Sequence, residues 1–177
     1  IVWGKFLNSG QTCVAPDYIL VQNSVKDKLV RYMEKYIRKM FGKDPMQNPD
    51  YPKMINEKHF NRVLGLTERA HIVCGGGSDV DMLKIEPTVL DQVTWESPVM
   101  QEEIFGPLLP VLTFYDIEEA IQMVNARPRP LALYYFTKDK QREAMMLKQV
   151  SYGGGCINDT IVHLATSHMP FGGVGNS

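Results

Sequence analysis

Strand-like apolar runs alternate along this chain with segments whose apolar residues recur at helical spacing, and this alternation restricts the fold more than any other feature. Leu108–Phe114 (LLPVLTF) is typical of a buried strand, whereas Leu29, Met33 and Ile37 fall on one stripe of a helix. Because a strand followed by a covering helix leads to parallel pairing, the pattern predicts an α/β fold: a mainly parallel sheet covered by helices.

Turn and capping residues set the limits of these elements. The predicted strands are 18–22, 71–74, 88–90, 108–114, 131–136 and 156–158, and the predicted helices are 24–40, 57–70, 117–125 and 140–149. Ser24 is expected to cap the first helix, and Asp116 with Glu119 forms a capping box before the third. Met40 extends the apolar stripe of the first helix. Pro110 lacks an N–H group for sheet pairing, so its strand is expected at an edge or on a bulge.

The composition is that of one ordinary globular domain covering residues 1–177. A net charge of −1 with interspersed charges gives no basic footprint for nucleic acid or an anionic membrane. No apolar run approaches the ~18 residues of a membrane span. The three cysteines are far apart without a CxxC pair, which favours reduced thiols and a cytoplasmic protein. The four histidines lack metal-ligand spacing, so no metal site is expected.

Asn8–Cys13 (NSGQTC) is the most informative stretch. A reactive cysteine requires a tight turn that exposes the sulfur and points backbone N–H groups at it, where they stabilise negative charge and can hold an oxyanion. Gly10 supplies such a turn, and Cys13 follows it. The alternative is a buried structural cysteine after an ordinary turn. Cys74 and Cys156 end or begin predicted strands, so both are expected to be buried and inert.

Three other stretches carry candidate chemistry. The two carboxylates of Gln101–Pro107 (QEEIFGP) are neighbours that point different ways, so they cannot act as an acid–base pair. One of them can accept hydrogen bonds from a sugar diol while Phe105 packs against a flat ring; a solvated pair before a strand is the alternative. Glycines in Met169–Ser177 (MPFGGVGNS) indicate unusual backbone angles or a close approach, with a frayed terminus as the alternative. Gly75–Gly77 lacks the GxGxxG spacing, which argues against a phosphate site.

These stretches resemble, in order, signatures of the aldehyde dehydrogenase superfamily: NSGQTC its cysteine motif, QEEIFGP its cofactor-ribose motif, and PFGG its late active-site loop. The strings CVAPDY, LALY, and ND followed by IVH look most like class 3 members, which act on medium-chain, fatty and aromatic aldehydes. The resemblance covers essentially the whole chain. It implies the catalytic-domain fold, NAD or NADP as cofactor, a small-molecule aldehyde as substrate and a homodimeric intact enzyme.

The resemblance also implies roles for individual residues. Cys13 matches the nucleophile. Glu103 matches the residue that binds the nicotinamide ribose, with Phe105 packing near the nicotinamide. Asn158 matches a family asparagine that braces the active-site loops. The positions that match the lining of the class 3 aldehyde pocket are Ile161, Leu164 and Phe171.

Several parts of the family's machinery have no counterpart here. The general-base glutamate lies on a Glu-Leu-Gly-Gly-Lys-like motif a few dozen residues before the cysteine, and only twelve residues precede Cys13. The oxyanion asparagine, the cofactor domain and the oligomerisation arm also lie outside these 177 residues. We therefore expect the catalytic-domain portion of an enzyme, inactive by itself and either monomeric or weakly self-associating. The alternatives are a non-catalytic assembly or partner-binding module, and a cysteine hydrolase with His163 or His168 as base.

Overall fold

The computed structural model describes residues 1–175; Asn176 and Ser177, which end the MPFGGVGNS stretch, lie outside the described residues. The chain divides into two compact units, Ile1–Thr113 and Phe114–Ser177. In the first unit the helices are α1 (Val2–Phe6), α2 (Lys26–Phe41) and α3 (Glu57–Gly65), and the strands are β1 (Ile19–Gln22), β2 (His71–Cys74), β3 (Ser78–Asp79), β4 (Lys84–Ile85), β5 (Thr88–Asp91) and β6 (Leu108–Phe114). The second unit contains α4 (Ile117–Asn125), β7 (Ala132–Tyr135), α5 (Lys140–Gln149) and β8 (Gly154–Ile157).

A sheet with the strand order β1-β6-β5-β2 forms the centre of the first unit. β5 and β6 are parallel, whereas β2 joins β5 antiparallel at one edge. Because side chains alternate along a strand, Val89 and Leu109 pack into one core with residues of α1 and α2. Leu90 and Leu108 pack into a second core with residues of α3. A parallel pair covered by helices confirms the predicted α/β class.

Some local predictions for the first unit were wrong. Ser24 does not cap α2: a short 3₁₀ turn intervenes, and the helix begins at Lys26. Met40 is 44% exposed, because Phe41, four residues after Ile37, continues the buried stripe instead. α3 ends at Gly65 rather than at residue 70. The turns that follow lead to Arg69, whose φ of 59° is incompatible with an α-helix.

Pro110 was expected at an edge, but β6 lies between β1 and β5 in the interior of the sheet. Its ring is buried, and Pro110 is aligned opposite Leu90 without a register shift between β5 and β6. A missing N–H donor forfeits about 1 kcal/mol for one net hydrogen bond. Burying apolar ring carbons offsets that loss, at ~0.8 kcal/mol per CH₂ group.

The second unit pairs β7 and β8 in parallel, with α5 as the connection. The predicted Asp116 cap of α4 is confirmed, because Glu119 N–H donates to the Asp116 carboxylate at 2.8 Å. The Glu119 carboxylate accepts from the Tyr115 N–H at 2.7 Å, one residue before the N–H group that a capping box uses. β8 begins two residues earlier than predicted, at Gly154. A Cβ atom on Gly155 would lie 2.2 Å from the Leu133 carbonyl oxygen, so glycine is required where the two strands meet. Among residues 1–175, no helix is long and apolar enough to cross a membrane.

Candidate active site

Cys13 is exposed in a turn that the Ala15 N–H closes onto the Thr12 carbonyl at 3.1 Å. The turn follows consecutive residues in the left-handed region, with φ of 51°, 53° and 74° at Asn8, Ser9 and Gly10. For a non-glycine residue this conformation costs roughly 1–2 kcal/mol. Surrounding contacts must therefore hold the backbone that presents the thiol.

Polar side chains of the motif supply those contacts. Gln11 Nε2 donates to the Lys53 carbonyl at 3.1 Å, and Gln11 Oε1 accepts from the Ile55 N–H at 2.9 Å. The Ser9 hydroxyl donates to the Pro52 carbonyl. The sequence analysis assigned no role to this partner segment, because nothing local marks it as a support for the cysteine turn.

Close backbone packing joins the cysteine turn to the QEEIFGP stretch. A Cβ atom on Gly10 would lie 2.3 Å from the Gly106 carbonyl oxygen. The Asp17 carboxylate makes a second link by accepting from the Ile104 N–H at 3.0 Å. Two motifs that are about ninety residues apart in sequence are therefore adjacent in the first unit, as their joint participation in one site requires.

Arg62 on α3 fixes the backbone that carries Glu103 and Phe105. Its guanidinium donates to the Glu102 carboxylate at 2.9 Å, to the Glu103 carbonyl at 3.3 Å and to the Ile104 carbonyl at 2.6 Å. Glu103 is exposed, and Phe105 is 39% exposed with a φ of 45°. Glu103 and Phe105, the residues predicted to hold the cofactor, are therefore both accessible from solvent on a fixed backbone.

A charge cluster lies behind this backbone. Lys5 is 1% exposed, and burial lowers its pKa to about 8 although Asp17 and Glu103 act in the opposite direction. Burial raises the pKa of Asp17. Partial burial also raises the pKa of Glu103, and the Asp17 charge adds to that effect. Sequence reasoning missed Lys5, Asp17 and Arg62; a lysine among the apolar residues of α1 was the one available signal.

Replacing Lys5 with methionine is expected to leave the fold at pH 7 as stable as the parent or up to about 3 kcal/mol more stable, because burial opposes the charge of Lys5 more strongly than Asp17 and Glu103 favour it. The matched control is Lys26→Met, which removes the partly buried ion pair with Asp91 (2.7 Å) and is expected to destabilise the fold by about 1 kcal/mol. Urea unfolding of both variants measures the difference. A loss of stability in Lys5→Met that equals or exceeds the loss in Lys26→Met would contradict this prediction.

The same lysine has a predictable effect on the pH dependence of stability. Its folded pKa of about 8 lies below the ordinary lysine pKa of 10.5, so the unfolded chain binds more protons between these values. The contribution of Lys5 to stability therefore rises with pH across that window. Lys5→Met is expected to remove this component of the slope, while Lys26→Met retains it.

The remaining predicted site residues lie in the second unit. Asn158, with a φ of 60°, exchanges two hydrogen bonds with the Thr137 backbone, both at 2.9 Å. Ile161 has a φ of 51°, and Leu164 and Phe171 are 43% and 52% exposed. Non-glycine residues with a left-handed backbone conformation, such as Asn158 and Ile161, often occur at functional sites. Asn158 thus braces the Thr137 backbone; its predicted role at the active-site loops and the pocket roles of the other residues remain predictions.

Two glycines, Gly153 and Gly172, let the late loop pack closely against the start of β8. A Cβ atom on Gly153 would lie 2.4 Å from the Gly172 carbonyl oxygen, so the loop that carries Phe171 packs directly on the start of β8.

Two of the glycines in Gly75–Gly77 donate hydrogen bonds within the protein. Gly76 N–H donates to the Thr88 hydroxyl at 3.0 Å, and Gly77 N–H donates to the Glu86 carboxylate at 2.9 Å. Those donors are occupied within the protein, which further weakens a phosphate-binding interpretation.

The other two cysteines differ from the prediction. Cys74 and Cys156 are half-buried rather than buried, because β2 is the edge strand of its sheet and β8 belongs to a two-stranded sheet. Within residues 1–175, no group of three or more His, Cys, Asp or Glu residues is arranged to hold a metal ion.

Comparison with known proteins places this geometry in context. A sequence model described as the aldehyde dehydrogenase family matches residues 1–177. The whole chain is 51% identical to the 4,4'-diaponeurosporen-aldehyde dehydrogenase of Staphylococcus aureus and 48% identical to the dimeric NADP-preferring aldehyde dehydrogenase of Rattus norvegicus; it spans 39% of the length of each. A solved structure of Staphylococcus aureus AldH in a substrate-bound state superposes with a TM-score of 0.96 at 51% identity, over 98% of this chain and 38% of that one.

Proposed function

This chain belongs to the aldehyde dehydrogenase family, and on that premise we propose that the protein containing it oxidises aldehydes to carboxylic acids with NAD or NADP, using Cys13 as the nucleophile. The observation that carries this proposal is the contact of Gly10 with Gly106. It holds an exposed thiol beside the segment that presents Glu103 and Phe105.

In the proposed reaction the Cys13 thiolate attacks the aldehyde carbonyl carbon and forms a thiohemiacetal. The backbone N–H of Cys13 is proposed to donate to the resulting oxyanion. When bound, the nicotinamide cofactor supplies the hydride acceptor that converts this adduct to a thioester on Cys13. Hydrolysis by water then breaks the carbon–sulfur bond, releases the acid and returns the thiol.

Glu103 and Phe105 are proposed to hold the cofactor end of the site. The Glu103 carboxylate accepts hydrogen bonds from the ribose hydroxyls, and the Phe105 ring packs against the nicotinamide side. Their backbone is fixed by Arg62 and by the Asp17 contact to Ile104, so little rearrangement is needed on binding.

For the substrate we propose a medium-chain, fatty or aromatic aldehyde. Apolar chains of this kind suit the exposed Leu164 and Phe171 side chains, which with Ile161 match the pocket positions of class 3 members. One relative is named a 4,4'-diaponeurosporen-aldehyde dehydrogenase and the other a dimeric NADP-preferring aldehyde dehydrogenase. We accordingly propose NADP or NAD as cofactor and a homodimer as the functional assembly. Three free cysteines favour a cytoplasmic location.

The direct test is acyl trapping. The protein is mixed with octanal or benzaldehyde and either cofactor, quenched in acid, and digested for mass spectrometry. An octanoyl or benzoyl mass on the Cys13 peptide, together with reduced cofactor and carboxylic acid in equal amounts, supports the proposal. Acid formation with the acyl group on Cys74 or Cys156 would overturn the assignment of the nucleophile.

Glu103→Gln is expected to raise KM for the cofactor about tenfold or to slow hydride transfer by a similar factor. A hydrogen bond to a charged group contributes roughly 1.5–3 kcal/mol, and the neutral amide retains part of it. The melting temperature is expected to stay constant because Glu103 is exposed. Glu102→Gln is the matched control, since an amide oxygen can still accept from Arg62. Unchanged kinetics of Glu103→Gln for both cofactor and aldehyde would remove the ribose-binding role.

A further inference from the structure

A second thiol, outside the proposed active site, has a histidine partner. Cys156 Sγ on β8 lies 3.6 Å from His163 Nδ1, which is within hydrogen-bond range for sulfur. The imidazole is held in place by the Tyr134 ring, with centroids 5.8 Å apart, and by the bare backbone of Gly154. A Cβ atom on Gly154 would lie 2.6 Å from His163 Cδ2, so any side chain there would displace the ring.

The environment favours a neutral imidazole that can accept a proton. Burial lowers the pKa of His163, so the uncharged form predominates at neutral pH. With the ring proton on Nε2, Nδ1 presents its lone pair to the thiol hydrogen. Cys74 provides the contrast: burial raises the pKa of that thiol, and no contact with a histidine is recorded for it among the described residues.

The same cysteine lines a partly open pocket whose other side chains are mainly aliphatic or aromatic. The pocket has a volume of about 180 Å³, and its lining includes Leu133, Leu147, Tyr152 and Ile157 beside Cys156. For comparison, an apolar cavity of ~150 Å³ accommodates a benzene molecule. A ligand of roughly this size with an apolar body therefore fits beside the sulfur.

We propose that Cys156 and His163 form a covalent capture site for apolar α,β-unsaturated carbonyl compounds, independent of Cys13. The thiol is a soft nucleophile, and the soft electrophilic carbon of such compounds is the β-carbon. His163 Nδ1 takes the thiol proton while Sγ bonds to the β-carbon. The π electrons move to the carbonyl oxygen as an enolate, and a proton is then delivered to the α-carbon. The product is a thioether, and nothing is oxidised or reduced.

The test measures adduct formation on the full chain carrying Cys13→Ser, which removes the exposed thiol from the competition. The chain is treated with trans-2-octenal, the adducts are fixed with borohydride, and the Cys156 and Cys74 peptides are quantified over time by mass spectrometry. Cys156 is expected to react at least about tenfold faster than Cys74, a conservative part of the ~10²–10⁴ that a positioned base contributes. Propenal, which lacks the alkyl chain, is expected to give a smaller ratio.

His163→Phe separates base assistance from packing, because it keeps a ring against Tyr134 and removes the proton acceptor. It is expected to slow the Cys156 reaction about tenfold or more, whereas His168→Phe, at an exposed histidine, leaves the rate unchanged. Equal labelling of Cys156 and Cys74, the same ratio with propenal as with octenal, or an unaltered rate in His163→Phe would overturn the proposal. If His163→Phe does not fold, the two ratios in the Cys13→Ser chain decide the question.

Discussion

Replacing Cys13 with serine in the complete enzyme is expected to lower kcat for aldehyde oxidation by a factor on the order of 10⁴–10⁶, the range found when a catalytic nucleophile is removed. A serine hydroxyl is far less ionised than a thiol at neutral pH. Its ester would also be a poorer acyl donor to water than a thioester. The exposed turn tolerates the isosteric change, so the fold is expected to persist.

The readout is NADPH or NADH formation with octanal and with benzaldehyde. Cys74→Ser serves as the matched control, because it makes the same chemical change on an edge strand and is expected to keep activity within about threefold, as most substitutions away from a site do. Cofactor binding measured by calorimetry is expected to be similar in both variants. A Cys13→Ser enzyme with more than a tenth of the parent's turnover would refute the assignment.

The second large effect concerns the 177 residues expressed by themselves, which are expected to oxidise no aldehyde at a useful rate. Absence of general-base assistance typically costs ~10²–10⁴ in rate. Losing one oxyanion donor costs roughly another 10²–10³. These factors need not multiply, but the cofactor presents a further difficulty.

Glu103 and Phe105 would have to bind the cofactor almost unaided. At ~1 kcal/mol for a typical net hydrogen bond, their contacts do not reach the −4 kcal/mol or so of a millimolar complex. The measurements are NAD(P)H formation with both aldehydes and calorimetry with both cofactors, after circular dichroism has established that the chain is folded. Turnover within tenfold of a complete class 3 enzyme, or micromolar cofactor binding, would contradict the expectation.

The α/β class and most elements could be predicted because their signals are local. α5 occupies Lys140–Gln149 and β6 occupies Leu108–Phe114, the bounds that the sequence predicted. The Asp116 cap was predictable because its hydrogen bond spans three residues. Predictions failed where a neighbour remote in sequence decides the outcome. The interior position of Pro110 depends on the pairing of β1 with β6, and no residue near Pro110 in sequence indicates this pairing.

In the candidate site, too, local motifs could be recognised from the sequence, whereas contacts between remote residues could not. Cys13, Glu103 and Phe105 could be assigned because each lies in a contiguous motif. Their supports could not: the Asp17 contact to Ile104 spans 87 residues, and the Arg62 contact to Glu103 spans 41. A positive φ at Phe105 is likewise a property of the folded backbone.

By itself, then, the sequence determined the α/β class, the Asp116 cap of α4, the resemblance to aldehyde dehydrogenases and the choice of Cys13 as the proposed nucleophile. Only the tertiary structure decided that Lys5 is buried as a counter-charge, that Gly10 meets Gly106, and that Cys156 lies beside His163. The physical reason is the distance along the chain over which each kind of interaction acts. Periodicity, capping and turn chemistry act over a few residues, whereas desolvation and charge interaction depend on every atom that folding brings near.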